Sequence, residues 1–532
     1  LFWSFGFILF IGLTFWCEWP LFKKSFIENP NIQDNTGEIN KDSQLQPPSW
    51  IDRLVWLSLA AGGSVILLSV TNKLCQDVAV LPFLWVVPLS LYLITFIICF
   101  ERDVWYQRQI WFPFLCLSVG LLAYLLFKEY DKIEISISVQ VIIYCAALFG
   151  CCMVCHGEIV RRRPPRIDLT LFYVYIAIGG ALGGVFVNFI APVLFGGYWE
   201  LHAGLLFVAG SAMIAPIMHS HEKVGFQFRG KLIQIKRQFV LMAGCLYLGI
   251  LIWILGRNIF LLQGPSIFNS RNFFGILHVF EYDKGTEDHY RLLQHGGVSH
   301  GIQWMNEEDI HQPTTYYGTC SGAALSINRF PSENPLKIGA VGLGIGTIAT
   351  YGEEKDVFRF YEINPDVERV AREYFTFIEN SDAEIEVIIG DARQTMKQEL
   401  DSTGSQEYDA ILVDAFTGES IPTHLLTQEA FDLYWQHLKE DGILAFHISN
   451  SHFNLSDVLR QLAIYANKEA IFIPDNGECN VYSEKNNWVL VTDNQNFLKD
   501  SVVHAAQEEW KQNSKPILWT DDFNNLFEIL KW

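Results

Sequence analysis

Through the first 255 residues, apolar positions come in long unbroken runs rather than on one face of an amphipathic helix. A bilayer core about 30 Å thick needs about 20 apolar residues per helix. Eight stretches approach or reach that length: residues 1–16, 54–74, 81–100, 110–127, 135–155, 169–195, 202–218 and 239–255. The first and the last two are the weakest. Beyond residue 256 the pattern changes. Short alternating runs at 274–282, 290–294 and 301–305, broken by Gly, Asp and Lys, predict a small antiparallel β-domain. From Lys337 onward, strand patterns at 337–342, 358–363, 385–390, 408–414, 442–449, 470–474 and 487–492 are separated by helical patterns at 367–378, 427–438 and 455–466. That alternation predicts one mainly parallel sheet. The chain thus divides into a transmembrane helical domain (1–256), a small β-domain (257–335), an α/β domain (336–495) and a C-terminal extension (496–532).

The average composition, 50% hydrophobic and 18% charged, hides these two halves. A net charge of −20 argues against nucleic acid as a partner, because phosphate binding needs basic surface. The eleven cysteines are no disulfide framework, since only Cys320 and Cys479 fall in the soluble half. Cys151, Cys152 and Cys155 beside His156 read as small apolar residues of a helix rather than as metal ligands, and no metal is expected. The chain opens on Leu1 inside an apolar run, as a fragment would.

The small residues from Ile178 to Gly184 suit close helix packing. His156 with Glu158 is the ionisable pair to test at membrane depth. Positive residues concentrate in Arg161, Arg162, Arg163 and Arg166 and again in segment 223–237, which predicts that both connections face the cytoplasm. One more crossing at 239–255 then places the soluble half outside. Nucleoside cofactors are made inside, so either one weak span does not cross or the soluble half no longer uses such a cofactor; the first is favoured, which makes the soluble domain cytoplasmic.

The candidate chemistry lies at strand ends. Val341-Gly342-Leu343-Gly344-Ile345-Gly346 closes the first α/β strand, Glu362 closes the second about 20 residues on, and Gly390-Asp391-Ala392 closes the third. In a doubly wound sheet this places Gly342, Gly344, Gly346, Glu362, Asp391 and Ala392 around a nucleoside, with Glu362 accepting from the ribose hydroxyls and Asp391 from an adenine amino group. Gly-Lys-Ser/Thr is missing after the glycines, which disfavours nucleotide-triphosphate chemistry. The fourth strand ends in a loop carrying Asp414 and Glu419, candidates for binding a cationic substrate or taking a proton from an amine. Tyr316 and Tyr317 supply a lid of aromatic and hydroxyl groups, and His447 points to the same edge.

These residues resemble the spermidine synthase (polyamine aminopropyltransferase) family, and more closely its bacterial membrane-fused type with an N-terminal multi-helix bundle. The matching stretches include Ser270–Gly275, Thr314–Gly318, Val341–Gly346, Tyr361–Pro365, Gly390–Arg393 and Val413–Leu426, with Thr71–Tyr92 and Cys155–Glu158 in the membrane half. The resemblance implies a β-hairpin domain ahead of a Rossmann-like, class I methyltransferase-type sheet, and transfer of an aminopropyl group from decarboxylated S-adenosylmethionine to an amine. Asp414 matches the first acid of the family's Asp-x-x-Asp loop.

Two positions depart from the family. Ile345 stands where an aspartate binds the donor's free amine, and Thr417 replaces the second loop acid, with Glu419 two residues later. Losing those carboxylates leaves ammonium groups without partners and opens the site to ordinary S-adenosylmethionine and methyl transfer. The implied partners are a small-molecule amine and a lipid bilayer, the bacterial inner membrane, and a homo-oligomer is compatible with the resemblance. The alternative is a membrane transporter or sensor whose degenerate domain binds polyamine or nucleoside without turnover.

Overall fold

In the computed structural model the described residues are 48–532, apart from 76–81, 130–134, 218–222, 229–230, 265, 297, 416–421, 451–452, 480, 511–515, 530 and 532. The expected span at 1–16 and the candidate Glu419 lie outside them. Among the described residues seven long helices belong to the first half: α1 (Trp50–Lys73), α2 (Pro82–Glu101), α3 (Arg108–Glu129), α4 (Ile137–Arg161), α5 (Leu169–Val185), α6 (Glu200–Ile217) and α7 (Arg237–Gln263). A π-turn at Phe186–Ile190 carries α5 on into Ala191–Leu194. Six of these are long and apolar enough to cross a bilayer by length and composition, and α6 is the shorter one. Their outward faces are apolar, with Phe189, Val193 and Phe260 at 72%, 84% and 76% exposed.

Local chemistry sets the helix ends and small residues set the packing. Ser49 and Asp52 form a reciprocal capping box at the start of α1, each side chain accepting from the other's backbone N–H. Gly179 and Gly183 of α5 lie so close to α1 that a Cβ would strike the carbonyl oxygens of Leu57 and Ala61. This is the packing role expected of that stretch. The suspected pair separates: the His156 ring bonds Thr95 Oγ1 at 2.9 Å, whereas Glu158 holds Arg108 through two bonds of 2.5 and 2.6 Å and accepts from the Tyr106 hydroxyl. Glu158 is therefore a satisfied helix-end acid. Cys151, Cys152 and Cys155 are buried in α4.

Segment 223–237 is not a plain loop but an antiparallel hairpin of β1 (Lys223–Phe228) and β2 (Lys231–Lys236). After α7 comes a four-stranded antiparallel sheet, β3 (Ser266–Asn272), β4 (Gly275–Tyr282), β5 (Tyr290–His295) and β6 (Val298–Trp304). Its first strand had no alternating signal in the sequence, because its apolar residues Ile267 and Phe268 are adjacent and the rest are polar. A short helix, α8 (Gly322–Asn328), then leads into the large sheet.

The large sheet contains β7 (Lys337–Val341), β8 (Val357–Glu362), β9 (Glu384–Ile389), β10 (Tyr408–Val413), β11 (Leu438–His447), β12 (Glu469–Asp475) and β13 (Asn486–Thr492). Their order is β12-β13-β11-β10-β7-β8-β9. Neighbours from β11 to β9 run parallel and β13 runs antiparallel to both of its neighbours. This is the mainly parallel, methyltransferase-like arrangement that the strand pattern and the resemblance implied. Helices α9 (Pro365–Tyr374), α10 (Ala392–Ser402), α11 (Gln428–His437) and α12 (Ser456–Tyr465) alternate with the strands. The C-terminal segment is packed rather than free, since Ile517, Trp519 and Ile529 are buried in the same core as β10 and α11. Because β7 lies between β8 and β10, the connections from β7 and β10 leave in opposite directions, opening a crevice at their carboxyl ends.

Candidate functional site

That crevice is a cleft with about 880 Å³ of empty space, counting its open mouth. Gly342, Gly344, Glu362, Asp391, Ala392 and Asp414 all line it. Gly342 must be glycine twice over: its φ is +102°, and a Cβ would strike the backbone oxygen of Asp414 on the neighbouring strand. The third glycine of the turn, Gly346, supports it from behind and does not line the cleft.

Glu362, 7% exposed, accepts from the backbone N–H of Leu343 at 3.0 Å and of Asn364 at 2.8 Å. Its carboxylate therefore clamps the glycine turn to the end of β8 and keeps lone pairs for a ligand. Burial pushes its pKa above the usual carboxylate value, although the backbone N–H groups oppose the rise. Asp391 caps α10 by accepting from Gln394 N–H at 2.9 Å, and His424 Nε2 lies 3.1 Å from its other oxygen. Beside them the Asn364 Nδ2 and the His300 Nε2 are buried without a partner, and both residues line the cleft. Unpaired buried donors at a cleft wall are costly unless a ligand completes them.

Asp414 is held from two directions. Tyr317 donates its hydroxyl to Oδ2, and His447 Nδ1 donates to Oδ1 at 2.7 Å. The His447 ring is stacked by Tyr316 and Trp488, with centroids 4.6 and 4.9 Å away, and its Nε2 hydrogen-bonds Ser449 Oγ at 2.7 Å. Ser449, His447 and Asp414 have the connectivity of a hydrolytic triad, but neither Ser449 nor His447 lines the cleft. The chain supports Asp414 rather than presenting a nucleophile. Burial alone would raise the Asp414 pKa, but His447, the Tyr317 hydroxyl and His300 hold it below the ordinary value. Burial keeps His300 itself neutral near pH 7, with a pKa lowered to about 4, so the depression rests on His447 and Tyr317. A carboxylate kept ionised in this way suits an ammonium group better than it suits proton abstraction.

Sequence reasoning placed Tyr316 and Tyr317 over the site. They lie instead behind Asp414 and do not line the cleft, Tyr317 being buried. The departure at Ile345 is likewise internal. Its side chain is buried, packed where a Cβ on Gly301 would stand, and is absent from the cleft wall. Among the cleft residues that the sequence did not single out, Leu277, Leu293, His295 and His300 come from the small sheet. The His300-Gly301 step with its positive φ was the available signal. Among the described residues no three His, Cys, Asp or Glu side chains group as metal ligands.

The spermine/spermidine synthase domain family matches residues 355–475, which include Glu362, Asp391 and Asp414 but not the glycine turn. A polyamine aminopropyltransferase of Vibrio vulnificus is 35% identical over 116 residues, 21% of this chain and 38% of that protein. An N-terminal histidine N-methyltransferase of Emericella nidulans is 33% identical over 111 residues, 20% of this chain and 19% of that one. The chain thus spans well under two thirds of the length of the curated relatives it matches. A probable spermidine synthase from Corynebacterium glutamicum is 17% identical, with 45% of this chain and 84% of that one covered at a TM-score of 0.34. On the family match and the aminopropyltransferase likeness, the chain carries a spermine/spermidine synthase domain.

Proposed function

We propose that the chain is a membrane-anchored transferase that moves an aminopropyl group from an adenosyl-sulfonium donor to an amine. The observation that carries this is the convergence of Glu362, Asp391 and Asp414 on one cleft at the strand-order reversal, with unpartnered donors of Asn364 and His300 in its wall. Glu362 would accept from the ribose, and Asp391 with Ala392 would bind the adenine. The sulfonium is itself a good leaving group, so the protein's tasks are in-line positioning and management of the amine's charge. Asp414 would hold the acceptor's ammonium, and Glu419 would take the proton. The apolar helices would supply the anchor.

A second reading is methyl transfer from S-adenosylmethionine to nitrogen. It is favoured by the likeness to a histidine N-methyltransferase. Calorimetry on the detergent-solubilised full chain with decarboxylated S-adenosylmethionine, S-adenosylmethionine and methylthioadenosine should show binding and rank the two donors. Absence of heat with all three would overturn both readings. With a turned-over amine in hand, Asp414→Asn should raise the acceptor KM by about 10- to 100-fold, the weight of one charged contact. An unchanged KM would remove Asp414 from the acceptor site.

The Glu362 shift also has a sign. Its carboxylate must be ionised to accept both backbone N–H groups and a ribose hydroxyl, and burial raises its pKa above the model-peptide value of 4.5. Nucleoside affinity should therefore fall on acidification at a higher pH than an exposed glutamate would dictate. A titration from pH 8 to about pH 4.5 checks this, and flat affinity throughout would refute it.

A further inference from the structure

The bundle has two distinct ends, and side-chain contacts assign several helix termini to them. At one end, Trp56 near the start of α1 donates to the Arg162 carbonyl just after α4, at 3.1 Å. The α2–α3 turn joins that end through Tyr106 and Arg108 on Glu158. At the other end, Asn258 near the close of α7 bonds His202 near the start of α6 at 2.9 Å, and donates to the Leu126 carbonyl near the close of α3.

The shorter helix α6, one of the three weak spans, runs the depth of the bundle. His202 of α6 meets Asn258 of α7, and Met213 further along α6 lies where a Cβ on Gly244 would stand. The two helices are therefore antiparallel over about 16 Å, at about 1.5 Å per residue, and α6 traverses as α7 does. The soluble half leaves α7 at the second end and is fixed there. Arg271 of β3 makes bonds of 2.8 and 3.0 Å to Glu200, the first residue of α6, and one of 2.6 Å to the Gly197 carbonyl in the α5–α6 connection.

Charge separates the two ends. The first end carries Arg161, Arg162 and Arg163, and the basic hairpin between α6 and α7 adds Lys223, Lys231 and Lys236. The second end holds fewer basic residues, Lys73, Lys128, Lys132 and Arg257 among the helix ends and connections. In a bilayer the basic end faces the cytoplasm, so the soluble half faces the other side.

A separate observation concerns redox chemistry. The only two cysteines of the soluble half, Cys320 and Cys479, are paired in a disulfide with their Cα atoms 6.1 Å apart across 159 residues of sequence. Both residues are exposed. Disulfides of this kind persist in oxidising compartments and are rare in the cytoplasm. The bond sits beside the site: Cys320 follows Tyr317 by three residues, and Thr315 pairs its backbone with Tyr482 and Glu484 in the loop that carries Cys479. It ties the segment that braces Asp414 to the β12–β13 loop.

We infer that the bundle crosses the membrane with its arginine-rich end in the cytoplasm, that the cleft opens on the opposite, oxidising side, and that Cys320–Cys479 is the covalent tether of its Tyr316–Tyr317 segment there. The expectation of a cytoplasmic domain rested on where nucleoside cofactors are made, whereas loop charge, helix direction and cysteine pairing agree on the other face. What the cleft binds depends on the transferase reading above, but where it lies does not. Any donor and acceptor must be present on, or delivered to, that side.

The test uses spheroplasts expressing the full chain and a membrane-impermeant maleimide–polyethylene glycol read as a gel shift. Wild-type protein should gain two labels only after reduction. Cys479→Ser should gain one label without reduction, and the double variant Cys320→Ser/Cys479→Ser sets the background from the helices. Labelling of Cys479→Ser only after lysis would place the domain in the cytoplasm and overturn the inference. Labelling of unreduced wild type would overturn the disulfide. Should the variant fail to accumulate, alkaline phosphatase fused after residue 532 of the wild-type chain decides the side, because it matures only in an oxidising space: activity is expected, and an inactive fusion made in normal amount overturns the assignment.

Discussion

Replacing Glu200 with alanine should cost about 3–5 kcal/mol, the penalty for stripping one partner from a buried ion pair. Glu200 and Arg271 are 0% and 6% exposed at their side chains, and the guanidinium makes two bonds to the carboxylate. It also lies 4.6 Å over the Tyr198 ring. Without Glu200, Arg271 keeps the Gly197 carbonyl but no counter-charge, in a place where water cannot reach it. The loss should appear as a lower unfolding temperature of the solubilised protein and as faster proteolysis near Gly264, where α7 meets the small sheet. Salt should not reproduce the effect, since a buried pair is screened little. Wild-type stability in Glu200→Ala would mean that the pair does not hold the two halves together.

The second large effect is expected at Glu362. Glu362→Ala should weaken nucleoside binding by about 100-fold or more, because it removes the ribose acceptor and frees two backbone donors of the turn. Glu362→Asp should fare little better, as the shorter side chain cannot span Leu343 and Asn364 together, which the glutamate bridges at 3.0 and 2.8 Å. Calorimetry on folded variants measures this. Normal affinity in Glu362→Ala would contradict the ribose assignment, whatever group is transferred.

Much of the soluble half was legible from pattern. Strands buried on both faces read as apolar runs, and their ends were marked by Gly342, Glu362, Gly390 and Asp414, so the carboxyl edge of the sheet could be drawn before any coordinates. All four line one cleft. What stayed hidden depends on distant pairing. Tyr317 and Asp414 are 97 residues apart, and no local periodicity says that the tyrosine hydroxyl ends on that carboxylate rather than over a substrate. The wall supplied by His295 and His300 belongs to another sheet, on strands β5 and β6 that precede the α/β domain in the chain. Ile345 looked like a change within the cleft and proved to be a core residue. Glu419 lies outside the described residues.

The helical half divides in the same way. Composition alone determined that residues 54–255 would be long apolar helices and that Gly179 and Gly183 would pack closely, because hydropathy and side-chain size are local properties. Only the tertiary structure decided that α6 runs the depth of the bundle, that Glu158 is satisfied by Arg108 rather than coupled to His156, and that Cys320 meets Cys479. These follow from which helix end or loop lies beside which, and that is set by close packing summed over many contacts between residues far apart in the chain. The sequence by itself determined the elements and the chemical groups at their ends. The fold decided which of those groups face the cleft, which brace it from behind, and on which end of the bundle the cleft opens.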